Sequence, residues 1–181
     1  MRSFRTSTLA SPVAGLLLSL VCTGAAAHPM AAQRGTLNVV DDGAYLVVSI
    51  PVSAFAGVDD DQDGRLSTEE FHRHQHAIAA AVIERVVLSD AGGACALEGL
   101  LLSPAHAHDT SSAPSSQLVA MGRYALNNPE GEMTLSFNLF GAAPDEQALE
   151  FSARRSPSQQ RVAVTLTPTK PTAALLPAAD S

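Results

Sequence analysis

The sequence has no tryptophan, few other aromatic residues and few cations, and each scarcity excludes a class of protein. Aromatic residues make up 4% of the 181 residues, which disfavours a carbohydrate-binding platform of stacked rings. The 11 basic residues are outnumbered by 18 acidic ones, giving a formal net charge of −7. Nucleic-acid binding by a basic surface is therefore not expected.

Sequence motifs of common enzymes are also missing. There is no G-x-S-x-G nucleophile turn, no glycine-rich phosphate loop and no H-E-x-x-H zinc motif. Clustered carboxylates do occur, but a metal site explains them better than general acid–base catalysis does. We therefore expect a protein that is not an enzyme.

The N-terminal 27 residues have the pattern of a secretory signal peptide. Arg2 and Arg5 precede the apolar run 13–21 (VAGLLLSLV), and the small residues 25–27 (AAA) follow it. Cleavage after Ala27 predicts a periplasmic or secreted protein. It would remove two basic and no acidic residues, changing the net charge from −7 to −9. The alternative is a buried N-terminal helix.

After that cleavage Cys95 is the one remaining cysteine, which excludes a disulfide within the mature chain. Its neighbours Ala94, Ala96 and Leu97 favour a buried thiol over one available for intermolecular pairing. The mature sequence also has no run of 18 apolar residues, so we expect no transmembrane segment there.

Short β-prone segments separated by turn residues dominate the mature chain. They predict a mainly β fold, an antiparallel β-sandwich-like domain over residues 28–167, followed by a flexible tail over 168–181 that is rich in Pro and Ala. The predicted strands lie at 36–40, 44–50, 84–89, 95–102, 117–126, 132–140, 147–154 and 160–167.

Helical and loop segments interrupt this pattern. Phe71, Ile78 and Val82 recur at helical spacing and predict a helix over 67–83. Pro51 favours the start of a short helix within 51–58. Residues 103–116, rich in Ser, Pro and Ala, predict a loop.

The most specific motif is the acidic loop, residues 59–70 (DDDQDGRLSTEE). It matches the EF-hand calcium pattern D-x-D-x-D-G-x5-E without a mismatch. Calcium prefers six to eight oxygen ligands, which carboxylates and carbonyls at alternate positions supply. Gly64 permits the sharp turn at the sixth position, and Leu66 anchors the loop in the core. The predicted ligands are Asp59, Asp61, Asp63, the Arg65 carbonyl, Ser67 and Glu70.

The same residues have a simpler interpretation as an acidic turn before a helix, because Ser67 and Glu70 also fit a capping box. A capping box alone does not explain why carboxylates alternate along the loop and are followed by Gly64. Without a bound cation, carboxylates so close together would also repel one another. Since no second loop is available to pair with it, we expect weak binding, with a dissociation constant on the order of 10⁻⁴–10⁻³ M.

Histidines form a second, weaker pattern. His72 and His76 share one face of the predicted helix, whereas His74 points elsewhere. Together with His106 and His108 in the loop, they suggest an alternative function as a periplasmic nickel, copper or zinc carrier. The simpler explanation is a solvated helix and an unrelated loop pair.

The order of signal peptide, Ala-His-Pro, β-hairpin, EF-hand loop, helix, strand and the turn Gly-Gly-Ala-Cys-Ala-Leu resembles the extracytoplasmic N-terminal region of HupE/UreJ-type membrane proteins, which are associated with hydrogenase and urease metal supply. The matching stretch is roughly 28–102, with a vaguer match over 118–166. In that family membrane helices follow, whereas this chain reaches Ser181 without one. The resemblance therefore implies a secreted calcium-binding β-domain whose partner is a membrane or periplasmic protein, and no transport activity.

Three functions remain open from the sequence. The first is calcium binding in a structural or partner-binding domain, the second is transition-metal carriage, and the third is a hydrolase with a structural calcium ion. The first is favoured because only its ligand set is complete.

Overall fold

The computed structural model describes residues 33–105, 113–156 and 158–179. These residues form ten strands, one α-helix and two single-turn 3-10 helices, at Val52–Ala54 and Pro144–Glu146. The longer elements are β1 (Gln33–Val40), β2 (Gly43–Pro51), α1 (Thr68–Arg85), β3 (Val86–Asp90), β4 (Gly93–Ala94), β5 (Ala96–Pro104), β6 (Gln117–Ala125), β7 (Met133–Phe137), β8 (Leu149–Arg155), β9 (Arg161–Leu166) and β10 (Thr172–Leu176).

The strands build two sheets, which confirms the predicted mainly β, sandwich-like fold with one helix. The larger sheet has the order β5-β6-β2-β1-β8-β9, and the smaller has the order β10-β7-β3-β4. Every named pairing is antiparallel except that of β1 with β8. Alternate residues of most strands are buried, as expected where one face of each sheet is covered.

Both sheets and the helix contribute to one apolar core. Leu46 and Phe151 come from the larger sheet, Leu135 from the smaller one, and Ile78 and Val82 from α1. The Tyr124 hydroxyl is buried in this core and donates to the Val86 carbonyl at 2.7 Å. The helix is thus fixed by side-chain packing, which sets the position of the acidic loop that precedes it.

The first two strands and the helix lie close to their predicted positions. β1 and β2 are joined at Asp41 and Asp42, and Asp41 has a φ of 52°, in the left-handed region that aspartate tolerates. The predicted helix 67–83 corresponds to Thr68–Arg85, with Phe71 buried beside the two core residues named above. The predicted short helix within 51–58 is reduced to the single 3-10 turn.

The C-terminal prediction is wrong for part of its range. Residues 168–181 were expected to form a flexible tail, but Thr172–Leu176 is β10, paired antiparallel with β7. Leu175 and Leu176 are 2% and 1% exposed. The short run TAALL between Pro171 and Pro177 is long enough for a strand, and its two leucines fill the core.

Other predictions fall partly outside the described residues. The signal peptide 1–27 and residues 106–112 of the predicted loop, including His106 and His108, lie outside them. Cys95 is a free cysteine and is buried, as expected. Burial raises the pKa of its thiol, so it is held in the protonated form. Within the described residues, no helix is long and apolar enough to cross a membrane.

Candidate metal centre

The acidic loop connects the 3-10 turn Val52–Ala54 to the start of α1. It brings Asp59, Asp61 and Asp63 together, so that one carboxylate oxygen from each lies within 4.8 Å of the other two. Asp59 is half-buried, and the other two aspartates are exposed. Among residues 33–105, 113–156 and 158–179, this is the one cluster of three carboxylate, histidine or cysteine groups close enough to hold a metal ion.

Backbone amides of the loop hold these carboxylates in place. The amide of Gly64 donates to Asp59 Oδ2 at 2.8 Å, and the amide of Arg65 donates to Asp63 Oδ1 at 2.8 Å. The chain curls tightly enough for this because Gly64 has a φ of 78°, a conformation that glycine adopts without steric cost. The predicted role of Gly64 as the turn residue is therefore confirmed.

Negative charge is concentrated in the loop. The hydrogen bond from the Asp63 amide favours the ionised form of Asp61. Partial loss of solvation and the neighbouring charges of Asp63 and Glu70 nevertheless outweigh it and raise the pKa of Asp61. A bound cation would relieve this repulsion between carboxylates.

Glu70, the twelfth residue of the loop, is not part of the three-aspartate cluster. Its Oε2 accepts from the Ser67 hydroxyl at 2.7 Å and the Ser67 amide at 2.9 Å, and its Oε1 accepts from the Asp60 amide at 2.8 Å. The Ser67 hydroxyl in turn accepts from the Glu70 amide, which completes the capping box of α1. These hydrogen bonds, the one from the Ser67 hydroxyl first, lower the pKa of Glu70 to about 2.

The eighth loop residue fixes the loop to another part of the chain. Leu66 is 2% exposed, as predicted for a core anchor. Its backbone forms a two-bond antiparallel bridge with Ser115, at 2.8 and 3.0 Å. The Arg65 guanidinium also donates to the Pro114 carbonyl at 3.2 Å. Sequence reasoning missed this contact because the residues are about fifty positions apart and nothing local marks Ser115.

Asp60, the second residue of the loop, links the loop to the helix. Its carboxylate contacts the guanidinium of Arg73, and its Oδ1 lies 2.9 Å from His74 Nε2. The hydrogen bond to His74, followed by the one to Arg73, lowers the pKa of Asp60. The sequence did not indicate that residue 60 contacts positions 73 and 74, because this contact depends on how the loop folds back onto α1.

The helix histidines do not form a metal centre with other described residues. His74 is engaged by Asp60, and the ring of His72 lies 5.8 Å from the ring of Phe71. His76 is exposed. Because His106 and His108 lie outside the described residues, a site shared between helix and loop stays a prediction.

Of the six predicted ligands, the structure groups three. Asp59, Asp61 and Asp63 converge, while Ser67 and Glu70 bind each other at the start of α1. No protein-family model matches the chain, and no curated protein matches it significantly. The functional assignment therefore depends on the geometry and chemistry of the acidic loop.

Proposed function

We propose that the acidic loop is a single EF-hand-type calcium site in a periplasmic or secreted β-domain. The observation that supports this best is the convergence of Asp59, Asp61 and Asp63 within 4.8 Å in a loop whose sequence has the calcium-binding order. The proposed ligands are these three carboxylates, the Arg65 carbonyl, Ser67 and Glu70.

Calcium fits this set better than other common metals. All of the proposed donors are oxygens, which suit hard cations, whereas nickel, copper and zinc favour nitrogen or sulfur ligands. Magnesium demands near-octahedral geometry and retains several waters, so a flexible loop with a carboxylate at its twelfth position favours the larger ion.

Glu70 is ready to bind a cation but is already engaged. Its low pKa keeps it ionised at neutral pH, so binding requires no loss of a proton. To join the aspartates, however, its carboxylate must exchange hydrogen bonds from Ser67 or Asp60 for the ion. This cost supports weak affinity, on the order of 10⁻⁴–10⁻³ M as in extracellular modules.

A structural or partner-binding role suits such a site better than a cytosolic sensor role. The loop contacts α1 through Asp60 and the segment before β6 through Ser115. An ion in the loop would therefore stiffen the connection between the helix and the larger sheet. The signal-peptide pattern and the resemblance to the HupE/UreJ-type extracytoplasmic region favour a location outside the cytoplasm.

Calorimetric titration with calcium, and separately with magnesium, tests this proposal. Glu70→Gln and Asp59→Ala should each weaken calcium binding by more than about tenfold, because affinity follows the charge and number of the ligands. Glu69→Gln is the matched control, since Glu69 is an adjacent, exposed carboxylate at a non-ligand position.

Two results would contradict the assignment. One is the absence of calcium binding in the millimolar range. The other is equal weakening by Glu69→Gln and Glu70→Gln, which would indicate a general attraction of cations to negative charge.

A further inference from the structure

The outer face of the larger sheet carries two adjacent rows of side chains across all six strands. In the first row, called the central row, each strand contributes one residue, and these residues are paired with one another by the strand register. The second row, called the arginine row, lies two residues farther along each strand, or three residues along β5, where that strand bulges. The central row is Leu101, Met121, Val47, Thr36, Ser152 and Ala163. The arginine row is Glu98, Arg123, Tyr45, Asn38, Arg154 and Arg161.

One half of this face is apolar. Leu101, Met121 and Val47 are directly paired neighbours on β5, β6 and β2, and they are 64%, 36% and 43% exposed. Tyr45, 48% exposed, adjoins them in the arginine row. Contiguous exposed apolar side chains of this kind mark interaction surfaces more often than isolated ones do.

The other half is basic and lacks counterions. Arg154 and Arg161 are directly opposite each other on β8 and β9, and both are exposed. Among the described residues neither forms a salt bridge, whereas Arg123 is paired with Asp42 and Glu98. Like charges in directly opposed positions destabilise a sheet. In a chain with a net charge of −7, this exposed pair is a local concentration of positive charge.

Between the two rows the surface is depressed. One hollow of about 520 Å³ lies over β1, β8 and β9, and another of about 420 Å³ lies over β2, β6 and β5. They lie end to end because both are bounded by the same two rows. Six strands at a spacing of about 4.8 Å give a length of about 24 Å, which matches a helix of about 16 residues.

We propose that this outer face binds an amphipathic, acidic helix of a partner protein. Apolar residues of the helix contact Val47, Met121 and Leu101, and carboxylates at its other end pair with Arg154 and Arg161. The charge of the arginine pair favours an acidic partner, and the length of the paired hollows across the six strands accommodates a helix. This interaction does not involve the acidic loop, so it does not depend on calcium binding.

A synthetic peptide of helical sequence provides the probe. It carries leucines on one face of its first half and glutamates on the same face of its second half, and a matched peptide has lysines in place of the glutamates. Titration into ¹⁵N-labelled protein, with and without calcium, should shift amides along the two rows for the acidic peptide only.

Variants locate the interaction on the proposed surface. The double variant Arg154→Glu/Arg161→Glu should weaken binding by more than about tenfold, since it replaces two attractive charges with repulsive ones. Leu101→Ser should weaken it through the apolar half. Arg85→Glu/Lys170→Glu makes the same change in charge at exposed positions outside the face, and it should leave the affinity within about twofold because remote charges are screened.

Four outcomes would overturn the proposal. Equal binding of the lysine peptide, or shifts confined to other surfaces, would exclude an acidic helix on this face. Concentration-dependent shifts without peptide would identify a second copy of the chain as the occupant. Binding of phosphatidylglycerol vesicles without peptide binding would identify a lipid surface instead.

Discussion

Asp90, at the end of β3, is a nearly buried carboxylate that closes two turns. Its Oδ1 accepts from the Gly92 amide at 2.7 Å, and its Oδ2 accepts from the amides of Asn127 and Asn128 at 2.6 and 2.7 Å. Burial opposes its ionisation, but these hydrogen bonds outweigh that effect and lower the pKa of Asp90. A single side chain thus ties the β3–β4 turn to the segment that follows β6.

Replacing Asp90 with Asn should destabilise the fold at neutral pH. An amide cannot accept from all three backbone donors at once, and an unsatisfied buried donor costs about 1–3 kcal/mol. Because these hydrogen bonds hold the pKa of Asp90 below its ordinary value in the folded state, its contribution is present at neutral pH and at pH values well above the unfolded-state pKa. It is lost as the pH falls through the folded-state value. Urea unfolding at a series of pH values should show a difference between wild type and variant that shrinks in acid. A constant difference would contradict this role.

Arg155 shows which residue-level features the sequence did not reveal. The predicted strand ended at residue 154, and nothing in the sequence distinguished Arg154 from Arg155. In the structure Arg154 is exposed, whereas Arg155 is 4% exposed and donates to the carbonyls of Pro177 and Gly131. The alternation of side chains along β8 separates the two residues, but the acceptors come from distant segments that no local pattern identifies.

At the level of elements, local patterns were sufficient where each segment carried its own signal. β-branched runs bounded by turn residues predicted the eight longer strands before β10, and the spacing of Phe71, Ile78 and Val82 predicted α1. β10 was missed because alanine and flanking prolines weaken a strand signal, while its stability comes from pairing with β7 and from burial of Leu175 and Leu176.

The same distinction applies to the candidate site. The three converging aspartates belong to a contiguous loop, so the sequence was sufficient to predict their approach. The engagement of Glu70 by Ser67 was foreseen only as an alternative to metal binding, and the structure shows the capping box formed. The bridge between Leu66 and Ser115 is a long-range contact and was not predictable.

That bridge predicts how calcium would affect neighbouring elements. If an ion stiffens the acidic loop, the amides of Leu66 and Ser115, which bond each other's carbonyls, should exchange with solvent more slowly. The isolated bridge between Thr167 and Lys170 has similar hydrogen bonds, at 3.2 and 2.9 Å, and neither residue belongs to the loop. Its amides are the internal control.

Hydrogen exchange measured with calcium and with a chelator gives the comparison. Exchange at Leu66 and Ser115 should slow more than exchange at Thr167 and Lys170, because the first pair is bonded to the loop itself. Equal slowing at both bridges would show that calcium acts only through the stability of the whole domain and that the Ser115 contact has no special part in the response.

At the scale of the whole molecule, the acidic loop and the core should unfold together. α1 begins in the acidic loop and places Ile78 and Val82 in the core shared by both sheets. Loss of the core should therefore release the loop, and an ion bound to the loop should stabilise the entire domain. Ligand binding to the native state alone raises its stability by mass action.

The expected gain is modest because the affinity is weak. At a calcium concentration about ten times the dissociation constant, the free energy of unfolding should rise by about 1.4 kcal/mol. For a domain of this size that corresponds to an increase in Tm of about 3–6 °C. Glu69→Gln should show the same increase, whereas Glu70→Gln should show little. A calcium-dependent first transition separate from the main one would mean that the loop unfolds independently of the core. The ion would then stabilise only the loop and would have no effect on the stability of the core.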